Sequence, residues 1–188
     1  MKETDAAAAG RAAEMRRAFD ASFALPPPQA SQDVEDLLAI RVAGDPYALR
    51  LREITGMVAG RLVVPVPAGT RDLLGLAGIR GGVVAVFALA SILGYPQAPG
   101  LPRWMILCGA DEPIALAFSD FEGHVRLPTS SIHAAAALDA AAEGSHVTRQ
   151  HVDQVARTEA GARPLISVPL ILAAIHSRSG IQRAPKEQ

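Results

Sequence analysis

The reading of the fold turns on residues 73–89: Leu73-Leu74-Gly75-Leu76-Ala77-Gly78-Ile79-Arg80-Gly81-Gly82-Val83-Val84-Ala85-Val86-Phe87-Ala88-Leu89. Two apolar runs flank an Arg-Gly-Gly turn, the pattern of a β-hairpin whose strands are covered on both faces. Arg80 is the only charged residue between Asp72 and Arg103, a gap of 30 residues. A charge so isolated sits either at an exposed turn or in a specific paired contact. Gly81 and Gly82 supply the positive φ of a tight turn and leave Arg80 uncrowded.

Upstream, Leu38, Ile40 and Val42 alternate with Ala39, Arg41 and Ala43, and after Gly44-Asp45-Pro46 the pattern resumes at Tyr47, Leu49 and Leu51. This is a second hairpin, with Arg50 and Arg52 expected on its solvated face. A link containing Ile54, Met57 and Val58 leads to a half-buried strand at Leu62, Val64 and Val66, stopped by Pro67. Downstream, Ala90-Ser91-Ile92-Leu93 reads as one helical turn ended by Gly94. Trp104, Ile106 and Cys108 alternate, a turn follows at residues 109–113, and Ile114, Leu116 and Phe118 alternate back as a third hairpin.

Residues 130–143 are Ala-rich and read as a surface helix capped by Ser130 or Ser131. Val152 and Val155 precede a turn at residues 159–163, and residues 165–175, broken by Pro169, begin as a strand and finish as a short helix. Residues 1–33 form a separate extension. Met15, Phe19 and Phe23 put a narrow apolar stripe on an Ala-rich helix flanked by Arg11, Arg16 and Arg17, and Pro26-Pro27-Pro28 ends it. That helix is either loosely docked or a partner-binding element. The body spans residues 34–178, and residues 179–188 are a polar tail. Many short strands with turn chemistry between them predict a mainly β barrel or sandwich.

Composition narrows the function. The 188 residues carry 18 basic and 19 acidic side chains, a formal charge of -1, which offers no electrostatic footprint for nucleic acid. Their 49% apolar content supports a sizeable core. The 36 alanines, and arginine at 16 of the 18 basic positions, read as genomic background. The N-terminus lacks the charged and apolar regions of a signal peptide, and residues 83–95 are too short to span a bilayer, so a cytoplasmic protein is expected.

The chemistry of catalysis is nearly absent. His124, His133, His146, His151 and His176 are dispersed, and the single Cys108 lies in an alternating strand with no cationic neighbour to activate it, so neither a catalytic residue nor a metal or cofactor site is expected. The glycines of residues 75–81 match neither dinucleotide nor phosphate-loop spacing. Asp111-Glu112 and Asp120-Glu122 are carboxylates that turns and strand ends ordinarily carry. A β-rich module with one isolated arginine at a glycine turn suits partner docking better than bond breaking.

Residues 34–178 resemble the CheW-like domain, the adaptor module of bacterial chemosensory arrays. The resemblance rests on the stretch from Leu74 to Leu89, on Tyr47-Ala48-Leu49, on Val64-Pro65-Val66-Pro67, on Ile114-Ala115-Leu116-Ala117-Phe118 and on Pro164-Leu165-Ile166-Ser167-Val168, in that family's order and spacing. It implies two SH3-like five-stranded β-barrels sharing a hydrophobic core. It also implies a non-enzymatic coupler that binds the regulatory domain of a CheA-type histidine kinase and the cytoplasmic tips of chemoreceptors. Partner contacts are then expected at Arg80, Gly81, Ile54, Met57, Gly78, Ile79, Val84 and Val86.

Several motif positions depart from the family. Gly78 stands for Asn, Ala85 for Pro, Ala88 for Asp, Gly56 for Glu, Ser119 for Asp, and Val168-Pro169 for Leu-Asp. Arg80 is retained, either as a contact to a receptor carboxylate or helix end or as a brace within its own chain. The losses leave open a divergent member that binds one of the two partners, or one that serves pilus, surface-motility or another chemosensory-like pathway.

Overall fold

The computed structural model describes Glu14 and residues 33–67, 70–96, 102–109, 112–134 and 151–179. The expected N-terminal helix, the Ala-rich run beyond residue 134 and the tail beyond Ser179 lie outside them.

The first hairpin pairs β1 (Val34–Val42) with β2 (Asp45–Arg50). The second pairs β4 (Leu73–Ile79) with β5 (Gly82–Ala88), and β3 (Gly56–Ala59) precedes it. A helical turn, α1 (Leu89–Ile92), leads to the third hairpin of β6 (Trp104–Cys108) and β7 (Ile114–Phe118). Then come β8 (Asp120–Pro128), β9 (Ile132–Ala134), the hairpin of β10 (Val152–Thr158) and β11 (Gly161–Ile166), and α2 (Val168–Ser179).

These strands form a six-stranded sheet in the order β8-β1-β2-β11-β10-β9 and a five-stranded sheet in the order β3-β6-β7-β5-β4. The first sheet thus has one strand more than the resemblance implies. The reason is β9: residues 132–134, expected in a helix, pair with β10 as an edge strand.

Both sheets curl, and the side-chain alternation shows how. In β7, Ile114, Leu116 and Phe118 enter a large core shared with Leu38, Ile40, Tyr47 and Leu49 of the first sheet and Val168, Ile171 and Ile175 of α2. The intervening Ala115 and Ala117 face the opposite way, into a small cluster with Ala77, Ile79, Val84, Val86, Met105 and Leu107. Small residues on the concave side and large ones on the convex side let the sheet curve tightly. The first sheet encloses its own cluster of Leu37, Ala48, Ala156 and Leu165. Tyr47 ties the first sheet to the segment after α1 through its hydroxyl, 2.7 Å from that of Tyr95, which donates to Asp45 at 2.6 Å. Burial pushes both phenols above the ordinary range.

Three expectations need correction. Leu62, Val64 and Val66 are not in a regular strand. Pro65 and Pro67 have no amide N–H to give to a ladder, and one bridge forms, Val64 with Leu76. Next, β8 was not foreseen; it pairs with β1 through eight residues and alternates between exposed and half-buried. Finally, Arg50 is buried rather than solvated, at 7% exposure, because β10 and the 3₁₀ turn at Leu51–Glu53 cover it. Arg52 is exposed, as expected.

Candidate partner-binding surface

The β4–β5 hairpin closes with Ile79 opposite Gly82, leaving Arg80 and Gly81 as the turn. Both have positive φ, 51° and 80°, the combination that matches the twist of a two-residue hairpin. The sequence placed that strain on Gly81 and Gly82; Gly82 instead begins β5, and Arg80 carries the left-handed conformation. A long side chain held there costs on the order of 1–2 kcal/mol, and such strain often marks a functional position.

Arg80 is exposed, and its guanidinium reaches across to β3, the opposite edge of the same curled sheet. A Cβ at Gly56 would lie 2.7 Å from Nη2 and 3.4 Å from Cζ. The arginine thus lies over a position that has no side chain, and it makes no hydrogen bond or ion pair among the described residues. Glycine at 56 permits this close approach.

That contact gathers the expected site. Ile54 and Met57 flank Gly56 and pack half-buried against the shared core. Gly78 and Gly81 are exposed. Ile79, Val84 and Val86 are buried at 5% exposure or less and form the concave core beneath the turn. Of the expected contacts, Gly78, Arg80 and Gly81 are therefore open to solvent, while the three buried residues shape the surface from below.

The sequence reading missed three exposed apolar residues. Leu62, Val64 and Val83 are 78%, 56% and 75% exposed. Val83 pairs with Gly78, and Val64 is bridged to Leu76, so alternation sets them on the convex face of the hairpin. Two signals pointed that way: the prolines that unseat residues 62–66, and the place of Val83 directly after the Gly81-Gly82 pair.

Elsewhere several charged groups pair within the chain. Asp36 binds Arg126 at 2.9 Å and His124 at 2.7 Å, and these contacts hold its carboxyl below the usual range. Glu122 joins Arg41 and Arg163, at 2.6 Å from the latter, with the same consequence. The Cys108 thiol is buried and pushed up to about 12, mainly by desolvation and then by Glu53, so it stays protonated. No group of three His, Cys, Asp or Glu that could hold a metal occurs among the described residues. No helix among them is long and apolar enough to cross a membrane.

His151 stands apart. It is 5% exposed, and neither ring nitrogen has a hydrogen-bond partner among the described residues. Desolvation, and then the charge of Arg178, lower its pKa from the ordinary 6.5, while Asp72, which pairs with Arg178 at 2.8 Å, opposes the shift. The folded chain therefore takes up this proton less readily than the unfolded chain. Stability that is full above pH 6.5 is lost as pH falls below it. A melting curve measured from pH 7 down to about 5 is expected to show this fall in the wild type and a smaller one in His151→Leu. Equal slopes would remove His151 as the cause.

Comparison with known proteins agrees with this architecture. Residues 36–158 match the CheW-like domain. The crystal structure of the scaffolding protein TtCheW from Thermoanaerobacter tengcongensis superposes with a TM-score of 0.60 at 14% identity, covering 71% of this chain and 89% of that one. At that identity the likeness speaks for the fold alone. No curated protein matches the sequence. With the family match running over most of the described strands, from β1 to β10, the chain belongs to the CheW-like domain family.

Proposed function

We propose that the protein is a non-enzymatic adaptor that couples chemoreceptor tips to a CheA-type histidine kinase, in the cytoplasm at membrane-associated receptor arrays. On this reading the two curled sheets are the two SH3-like barrels of the family, and the surface around Arg80 is a partner contact. Membership of a family of adaptors supports the coupling role. The observation that carries the contact is the unpaired, exposed guanidinium held over Gly56 on a strained turn. A brace would have a carboxylate or carbonyl of its own chain to hold, and Arg80 has none among the described residues.

Capture of partners from cell lysate on the wild-type protein and on Arg80→Ala, followed by mass spectrometry, tests this. A receptor and a CheA-like kinase are expected with the wild type, and the substitution should deplete at least one. Because Arg80 is exposed and unpaired, its loss should change stability by no more than about 0.5 kcal/mol. A large drop in melting temperature would favour the brace, and recovery of neither partner would sink the coupling role.

A second reading, that only one partner is bound or that a pilus or surface-motility pathway is served, is favoured by Gly56, Gly78, Ala85 and Ala88 standing where the family has polar or turn-forming residues. Recovery of a single partner class would support it.

A further inference from the structure

We infer that Gly56 and Arg80 together form a seat for a carboxylate supplied by the partner, an Asp or Glu side chain. The inference rests on the reading of Arg80 as a partner contact and goes on to specify what the partner brings.

Two observations and the geometry of the arginine side chain converge. The guanidinium lies against the backbone of β3 in a space that any side chain at position 56 would enter, since a Cβ there would be 2.7 Å from Nη2. Its donors meet no acceptor of this chain among the described residues. An arginine offers five N–H donors in a planar fork that fits a carboxylate two bonds at a time. An unneutralised cation is complementary to an acidic residue, and it disfavours a basic partner through like-charge repulsion.

The geometry also says how to close the seat from within. Gly56 has no positive φ, and the atom that its Cβ would meet is the far end of a flexible side chain, so a longer residue at 56 is accommodated by a small shift of Arg80. A glutamate there would bring its own carboxylate to the guanidinium and neutralise it in cis. A glutamine has the same shape without the charge.

The test uses the full chain and two probes from the same genome, the cytoplasmic tip fragment of a chemoreceptor and the regulatory domain of a CheA-type kinase, titrated by calorimetry. On whichever probe the wild type binds, Gly56→Glu is expected to bind at least about tenfold more weakly than Gly56→Gln, because only the former occupies the guanidinium with charge. Both variants should melt cooperatively. Equal losses in the two variants, with Arg80→Ala still weakened, would overturn the carboxylate seat and leave Arg80 a partner contact of another kind. If the wild type binds neither probe, the coupling role fails and the seat fails with it.

Discussion

Arg50→Ala is expected to lower the unfolding free energy by about 3–5 kcal/mol, the usual consequence of removing one partner from a buried charge cluster. The Arg50 side chain is 8% exposed, and the carboxylates beside it, Glu35 and Glu53, are 10% and 15% exposed. Its Nη1 lies 3.3 Å from Glu53, its Nε 3.8 Å from Glu35, and its Nη2 donates to Gln154 of β10. Glu53 has a second duty: its Oε2 accepts the Val168 N–H at 3.0 Å and so caps the start of α2. The cluster joins β1, β2, β10 and α2 at one point.

Without the guanidinium, two carboxylates remain close together with little water, and the one on the helix N-terminus is no longer held from the other side. A chain of this size loses roughly 2–4 °C of melting temperature per kcal/mol, so a fall of roughly 6–20 °C should be seen. Arg52→Ala is the internal comparison. Arg52 also binds Glu35, at 2.9 Å, but its side chain is 67% exposed. It should cost no more than about 1 kcal/mol. Similar losses in the two variants would mean that Arg50 is better hydrated than its burial implies.

Arg50 also marks where sequence reasoning stopped. Alternation tells which side of a strand a residue faces, and it placed Arg50 opposite Leu49 correctly. It does not tell what covers that side. The four residues Tyr47, Ala48, Leu49 and Arg50 are all buried because the first sheet curls over itself and the shared core lies behind it. The three central hairpins were legible because each combines apolar runs with a turn of Gly, Asp or Pro. Strand β8 was not: Gly123 interrupts the stripe of Phe121, Val125 and Leu127, and the charges at Asp120, Glu122 and Arg126 read as loop. The isolation of Arg80 was plain in the sequence. Its contact with Gly56 was not, since it depends on the curl that brings the edge strand β3 under the turn between β4 and β5.

Gly75→Ala should be nearly as damaging as the loss of Arg50, at about 3–5 kcal/mol, and it would also alter the exposed apolar face at Leu62, Val64 and Val83. Gly75 is buried in β4 with a φ of +146°, beside a register shift in the pairing with β5. A Cβ there would sit 2.1 Å from the carbonyl oxygen of Val64 and 2.7 Å from its carbon. These are backbone atoms, which cannot turn aside as a side chain does. Relief requires residues 61–67 to lift from β4, which breaks the paired bonds Val64 N–H to Leu76 O at 2.8 Å and Leu76 N–H to Val64 O at 2.9 Å. Two hydrogen bonds contribute about 1 kcal/mol each, and the unfavourable φ adds about 1–3 kcal/mol. Gly78→Ala, three residues along the same strand, supplies the contrast. It is exposed, has no positive φ and has nothing within 4 Å of its Cβ position, so it should shift stability by no more than about 0.5 kcal/mol. Hydrogen exchange distinguishes detachment from global loosening. In Gly75→Ala the Val64 and Leu76 amides should lose protection first, while Ile106 and Leu116, in the shared core, keep theirs. Detachment would carry Leu62 and Val64 away from Val83, so partner binding should weaken even where the domain remains folded. A variant that keeps full partner affinity with unprotected Val64 and Leu76 amides would exclude the apolar edge at residues 62–64 from the proposed docking surface.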